Sequence, residues 1–412
     1  MNIGTLIKVE RNRRNMKLEN LAKDICSTSH LSRIENGKSE PGDEIAFLLL
    51  ERLGISVYDE RQEQLGIDSF GERLEHIVNL RDSGGAEKLI LDILNLVTKG
   101  RIDFQTRINL ELMILRLQLV MSQQAKDVLL ELPQYFKLKQ GLEPLQTFRI
   151  YQIEGMASYA MGNLKGCLIA FDKAEKQIES VSLSSFEDAD FAYVSAVAYM
   201  ADGQTYKALE KSKQALPYFQ RIMAGRRVVE CHIISGISYK NMGQLSRAIQ
   251  DFKLAEQICY QFDIHLFLGM LNQNIGDVYS TMGDSESAIL YFEQAVNHKE
   301  QPNELMYSIF SLIKENEKLE NWDTVLHWVN RGISLLTEMQ GVKKEYYSCH
   351  FNVYQALCLE EKIEDVLIKA VRTFKQMEQE NSWKEYAKRL AEMYTKNGKY
   401  KKAVSYYKMI VD

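Results

Sequence analysis

The chain has 412 residues, 45% of them hydrophobic and 26% charged, with only 5 prolines and a net charge of −5. That length exceeds what one core supports, so several domains or a repeat array are expected, mostly helical. The balance excludes a global basic field, so any nucleic-acid surface is local. The longest apolar runs, such as Ile45–Leu50, fall far short of a membrane span, and Lys8, Glu10 and Arg11 interrupt any signal-peptide pattern. A cytoplasmic protein with no membrane association is expected. Cys26, Cys167, Cys231, Cys259, Cys349 and Cys358 form no C-x-x-C pair and no zinc spacing with histidine, so reduced, mostly buried thiols are expected, with no metal and no cofactor.

In chain order, the first helix is predicted over residues 3–15, with apolar Ile3, Leu6, Ile7 and Val9. Arg11, Arg13 and Arg14 read as a solvated, dipole-favoured helix end. A short second helix holds Leu18, Leu21 and Ala22 and ends near Ile25. Ser27 is a suitable N-cap for a third helix, in which Leu31 and Ile34 face the core and which Gly37 ends. Pro41 opens a fourth helix through Ile45, Leu48, Leu49 and Leu53, followed by residues 54–58. Residues 1–38 carry eight Lys or Arg against four Asp or Glu, and residues 39–60 one against six. The module is therefore bipolar, with a basic side.

Leu21-Ala22, Leu31-Ser-Arg-Ile-Glu-Asn-Gly37 and Pro41, at these spacings, resemble the phage-repressor (Xre-type) helix-turn-helix family over residues 1 to about 60. Cys26 departs from the pattern, standing where glycine is common; the turn tolerates it if that residue is not left-handed. The resemblance implies that the third helix enters the major groove of double-stranded operator DNA. Ser27, Thr28, Ser29 and Arg33 would then face the DNA at the helix start, Arg33 being suited to a guanine edge. Lys17, Asn36 and Lys38 would meet phosphates. His30 is either a further contact or a surface histidine. A module this small needs two half-sites, hence a homodimer or higher oligomer.

From about residue 70 the chain repeats itself. Gly162, Gly203, Gly243 and Gly283 recur every 40 or 41 residues, each followed by a small residue, an aromatic in three units, and an alanine; residues 394–407 form a fifth unit. Gly155, Gly236 and Gly276 stand seven residues before a turn and permit close helix approach. Two units, around Glu320-Asn-Trp322 and Glu361-Lys-Ile363, keep the spacing but lose the turn glycine. Weaker hairpins are expected over residues 74–97 and 110–132. This small-Tyr-Gly-Ala-Phe-Ala pattern resembles the tetratricopeptide repeat.

The expectation is therefore an all-α chain. Residues 1–62 would form a five-helix helix-turn-helix domain. Residues 70–412 would form a right-handed superhelix of eight or nine tetratricopeptide-like hairpins. No phosphate-binding loop, nucleophile elbow or zinc-protease motif is present, so no enzyme is expected. The combination resembles the RRNPP class of Gram-positive quorum-sensing regulators, in length and layout the NprR type more than the shorter PlcR type. The resemblance implies a short signalling peptide on the concave face of the repeats and a response regulator as a further partner. An extended peptide needs amides and charges on the first helix of each hairpin. The candidates there are Arg149, Gln152, Asn241, Gln273, Asn274, Asp277 and Asn352. Two rivals stand beside this reading: a peptide-independent repressor whose repeats only oligomerise, and a repeat protein that sequesters a response regulator.

Overall fold

The structure, a computed structural model, describes residues 3–54, 60–99, 102–121, 124–138 and 141–411, and every regular element among them is helical. The chain divides into two compact units, residues 1–238 and 239–412.

Unit 1 opens with α1 (Ile3–Arg13), α2 (Leu18–Ala22), α3 (Thr28–Glu35) and α4 (Asp43–Arg52). Ile7, Leu21, Leu31, Ile34, Leu49 and Leu53 form their shared core. Ser27 caps α3 as expected: its backbone is extended and its hydroxyl accepts the His30 N–H at 3.2 Å. The left-handed residue in the turn before α3 is Asp24 (φ +59°), not Cys26. Aspartate visits that region more readily than most residues, and Cys26 replaces the usual glycine without strain.

Three local expectations need correction. α2 stops at Ala22 rather than near Ile25, because the turn begins there. α4 starts at Asp43 behind an extended Gly42, so Pro41 precedes the helix instead of opening it. Arg11 is not a solvated helix end: its guanidinium holds both oxygens of Glu35 at 2.6 and 2.8 Å and donates to the Met16 carbonyl. The glutamate of the Ile-Glu-Asn-Gly run is thus a buried strut between α1 and α3.

Of the segment expected after α4, residues 55–58 lie outside the described residues. α5 (Glu60–Leu80) then spans the interval between the two expected domains. It pairs with α6 (Ser83–Lys99). The array continues through α7 (Phe104–Gln118) and α8 (Ala125–Phe136), α9 (Pro144–Ala160) and α10 (Leu164–Ile178), and α11 (Ser185–Ala201) and α12 (Thr205–Arg221). α13 (Gly225–Asn241) closes unit 1.

Unit 2 holds α14 (Leu245–Gln261), then the hairpins α15 (Leu268–Met282) and α16 (Ser285–Asn297), and α17 (Pro302–Lys318) and α18 (Trp322–Leu335). They are followed by α19 (Gly341–Leu359) and α20 (Ile363–Gln376), and by α21 (Glu380–Lys396) and α22 (Tyr400–Val411).

The repeat register has the physical basis the spacing predicts. Gly162, Gly203, Gly243 and Gly283 all adopt φ between +72° and +82°, where a side chain is disfavoured. At Gly276 a Cβ would lie 2.5 Å from the Phe292 ring, so glycine and aromatic are one packing unit across the hairpin. Where the turn glycine is missing, Glu320 and Glu360 occupy the same left-handed region, at +57° and +54°. Tyr239 and Tyr394 are buried in the hairpins.

Candidate functional site

On α3 the helical period turns Leu31 and Ile34 inward and leaves Thr28, Ser29 and Arg33 exposed on the opposite side. Lys17, Ser27, Asn36 and Lys38 are exposed around them, while His30 is half-buried. The Ser27 hydroxyl is engaged in capping α3 and sits 3.1 Å from that of Ser29. The Asn36 amide donates to the Ser32 carbonyl at 2.8 Å, and its oxygen accepts from Lys8 at 2.8 Å. Lys8, from α1, therefore joins the basic rim. Its sequence signal was a lysine one turn before Arg11, too common a pattern to single out.

The inner face of unit 1 is built by the first helices of successive hairpins. α5, α7, α9 and α11, with Tyr218 of α12, line a cavity of about 550 Å³. Arg149 donates to Glu187 at 2.8 Å and to Asn109 at 2.9 Å. Gln152 donates to Asp190 at 3.1 Å, and Arg116 holds both oxygens of Asp190 at 3.0 and 3.1 Å. Arg116, Gln152 and Asp190 are all buried. Arg149 and Gln152 are thus brought together, but as members of a closed network rather than as free ends. Asn109, Arg116, Glu187 and Asp190 were missed. Asn109 stands 40 residues before Arg149 and Glu187 38 after it. The repeat step itself would have found them.

α5 also lies against helices far along the chain. Arg227 donates to the Val78 carbonyl at 3.0 Å, Arg81 pairs with Glu230 at 2.9 Å, and the Tyr218 hydroxyl donates to Glu75. Repeats ordinarily touch only their neighbours; here the first repeat helix closes one side of the cavity.

In unit 2, Gln273, Asn274 and Asp277 form a second cluster on α15. The Gln273 amide donates to Asp277 at 3.1 Å and Ser311 at 3.2 Å, and its oxygen accepts from Ser308 at 2.5 Å and Lys299 at 3.2 Å. Lys240 donates to Asn274 at 3.3 Å and lies 3.6 Å from Asp277. Burial pushes the Asp277 carboxyl above its ordinary range, against the pull of Lys240, and holds the Lys299 ammonium below its own. Burial beside Asp277 moves the Tyr307 hydroxyl up to about 12. Asn241 and Asn352 are exposed, and among the described residues no side-chain hydrogen bond joins them to either cluster. Asn272, beside the cluster in sequence, is buried and donates back to the Leu268 carbonyl.

Among the described residues, no helix is long and apolar enough to cross a membrane, and no three His, Cys, Asp or Glu side chains could together hold a metal ion.

A helix-turn-helix family model matches residues 7–59, and tetratricopeptide-repeat models match 271–301 and 387–411. The chain is 27% identical to the transcriptional activator NprA of Geobacillus stearothermophilus over 94% of its own length and 97% of that protein. In sequence and fold the chain is thus similar to members of the RRNPP class. It is also 25% identical to response regulator aspartate phosphatase A of Bacillus subtilis, over 62% of this chain and 68% of that one. Among solved structures, the apo quorum sensor NprR from B. thuringiensis matches with TM-score 0.65 and 19% identity, covering 86% of this chain and 99% of that one. NprR in complex with its cognate peptide NprX matches at 0.54 and 18%, with the same coverage. The all-helical repeat fold expected from sequence is therefore found.

Proposed function

We propose that this chain is a cytoplasmic transcription regulator whose α3 reads operator DNA and whose repeats take a short signalling peptide on their inner face. Residues 1–62 are assigned as the DNA-binding domain and 70–412 as the peptide-binding and oligomerising domain. The observation that carries the reading is the line of amides and charges on successive first helices, in the same chain as an intact recognition helix. Arg149 and Gln152 serve the peptide in unit 1, and Gln273, Asn274 and Asp277 serve it in unit 2. Asn241 and Asn352, exposed on α13 and α19, are assigned to the peptide as further amides on first helices. The amides of an extended peptide exchange with these partners one for one. Support comes from the likeness to NprA, named as an activator, and to NprR, solved with its cognate peptide. Binding, rather than catalysis, is the assigned activity. DNA contact is assigned to Lys17, Ser27, Thr28, Ser29, His30, Arg33, Asn36 and Lys38, from a homodimer or higher oligomer.

A second reading, capture of a response regulator by the repeats, is favoured by the likeness to response regulator aspartate phosphatase A. The test is sedimentation and DNA selection with the purified chain, with and without synthetic peptides encoded beside its gene. A peptide that shifts both oligomeric state and DNA affinity supports the first reading. DNA binding that no peptide alters rejects it and leaves the inner face to a protein partner. Arg149→Ala should weaken the peptide and spare the DNA.

A further inference from the structure

α1 has two working faces. Ile7 enters the core of the DNA-binding module. Leu6, Val9, Glu10 and Arg13 are spaced three or four residues apart and share another stripe. Leu6 and Val9 pack against the cluster that Phe104, Ile108, Leu112 and Leu115 of α7 form with residues of α8 and α9, and Leu6 also touches the module's own core. Beside them Glu10 is only 1% exposed. Arg107 of α7 holds it at 2.9 Å, and Arg13 and Arg14 of its own helix approach at 3.5 and 3.8 Å. Arg13 reaches across to Glu111 of α7 at 2.5 Å, and the Tyr135 hydroxyl of α8 donates to the same carboxylate at 3.0 Å. Arg13 is therefore not part of the solvated helix end that the spacing suggests, whereas Arg14 stays exposed.

A carboxylate this deeply buried persists only with charged partners. Among the described residues, the one that Glu10 has outside α1 lies 97 residues away, on the repeats. A module joined to the repeats by a tether alone would leave Val9, Glu10 and Arg13 in water. The recognition face takes no part: Thr28, Ser29 and Arg33 stay exposed. A cavity of about 500 Å³ opens beside the ion network, bounded by Arg13, Arg14, Arg107 and Glu131, so solvent reaches the arginines from one side.

From this we infer that α1 and the α7–α8 hairpin form an electrostatic latch, which holds the DNA-binding module on the repeats with its recognition helix in solvent and releases it as a folded unit. α7 carries Arg107 and Glu111 in the latch and Asn109 and Arg116 in the wall of the unit 1 cavity. A displacement of this one helix moves both. The inference does not depend on what fills that cavity.

The test is carbodiimide labelling of carboxylates on the full chain with glycine ethyl ester, read by mass spectrometry. Glu10 reports the latch. Glu35, 5% exposed and paired with Arg11 inside the module, reports whether the module stays folded. Exposed Glu19 is the reference. In the unaltered chain Glu10 and Glu35 should label about tenfold more slowly than Glu19, as expected of groups that react only on opening. Arg107→Gln should raise Glu10 towards the Glu19 rate while Glu35 stays protected, and Arg107→Lys should restore protection. If Arg107→Gln also exposes Glu35, Arg13→Gln gives the second reading, with Glu111 as reporter. The latch is overturned if Glu10 labels like Glu19 from the outset, or if it stays protected in Arg107→Gln. It is equally overturned if both variants expose Glu35, because release would then mean unfolding.

Discussion

Charge is deployed in opposite ways on the face proposed for DNA and along the inner faces of the repeats. On the module, Lys17, Arg33 and Lys38 stand exposed, and among the described residues no ion pair engages them. Along the repeats, Arg116, Arg149 and Lys240 are each held by a carboxylate or an amide within their own unit. DNA brings its own negative charge and releases counterions on binding, which suits unpaired cations. A short peptide brings mainly amides, and stripping water from lone buried charges to receive it would be costly. Groups that are already paired can exchange one partner for another at smaller cost. On the proposed reading, one surface is built to be neutralised by its ligand and the other to be rewired by it.

The severest challenge to that contrast is Asp190→Ala. It leaves Arg116 buried without its carboxylate and removes the acceptor of Gln152, which should cost about 3–5 kcal/mol. A urea unfolding midpoint equal to that of the unaltered chain would mean the inner face is no buried network. Next is Arg33→Ala, expected to weaken binding to a selected operator by about 1–3 kcal/mol, a loss of roughly tenfold to a hundredfold. Its unfolding midpoint should be unchanged, since Arg33 is exposed; a fall in stability instead would place it among the paired residues.

The mildest distinguishes protons from salt. Burial lowers the pKa of His350 to about 3, with Lys314 and Arg389 acting in the same direction, and the ring lies against Tyr346 and Tyr386. Between its ordinary value of 6.5 and 3 the unfolded chain takes up a proton that the folded chain refuses. The stability His350 contributes is therefore complete above pH 6.5 and drains away as pH falls. The slope approaches about 1.4 kcal/mol per pH unit. His350→Gln should flatten unfolding midpoints measured between pH 7.5 and 5.5, whereas DNA binding should respond chiefly to salt.

Local features were legible in the sequence because they are governed by neighbours. The Ser27 cap, the inward Leu31 and Ile34, and the left-handed glycines every forty residues all depend on positions a few residues apart. The long-range polar pairs were not. Glu10 with Arg107, and Arg116 with Asp190 74 residues on, look like ordinary helix-surface charge until the hairpins stack. Gln152 and Gln273 were singled out as groove amides, and the structure buries both, because the repeat step sets carboxylates or hydroxyls directly across from them. The passage of α5 across to Arg227 breaks the nearest-neighbour logic of a repeat array, so no periodicity could have announced it.

The two turns that do without glycine, at Glu320 and Glu360, carry one further consequence. A side chain in the left-handed region costs about 1–2 kcal/mol, and in a repeat array such costs stay local, since each hairpin leans chiefly on its neighbours. The hairpins α17–α18 and α19–α20 therefore each carry a strain that Glu320→Gly or Glu360→Gly would relieve, as Asp263 and Glu378 carry it in the links to either side. Either replacement should raise the stability of its own hairpin and leave the rest of unit 2 as it was.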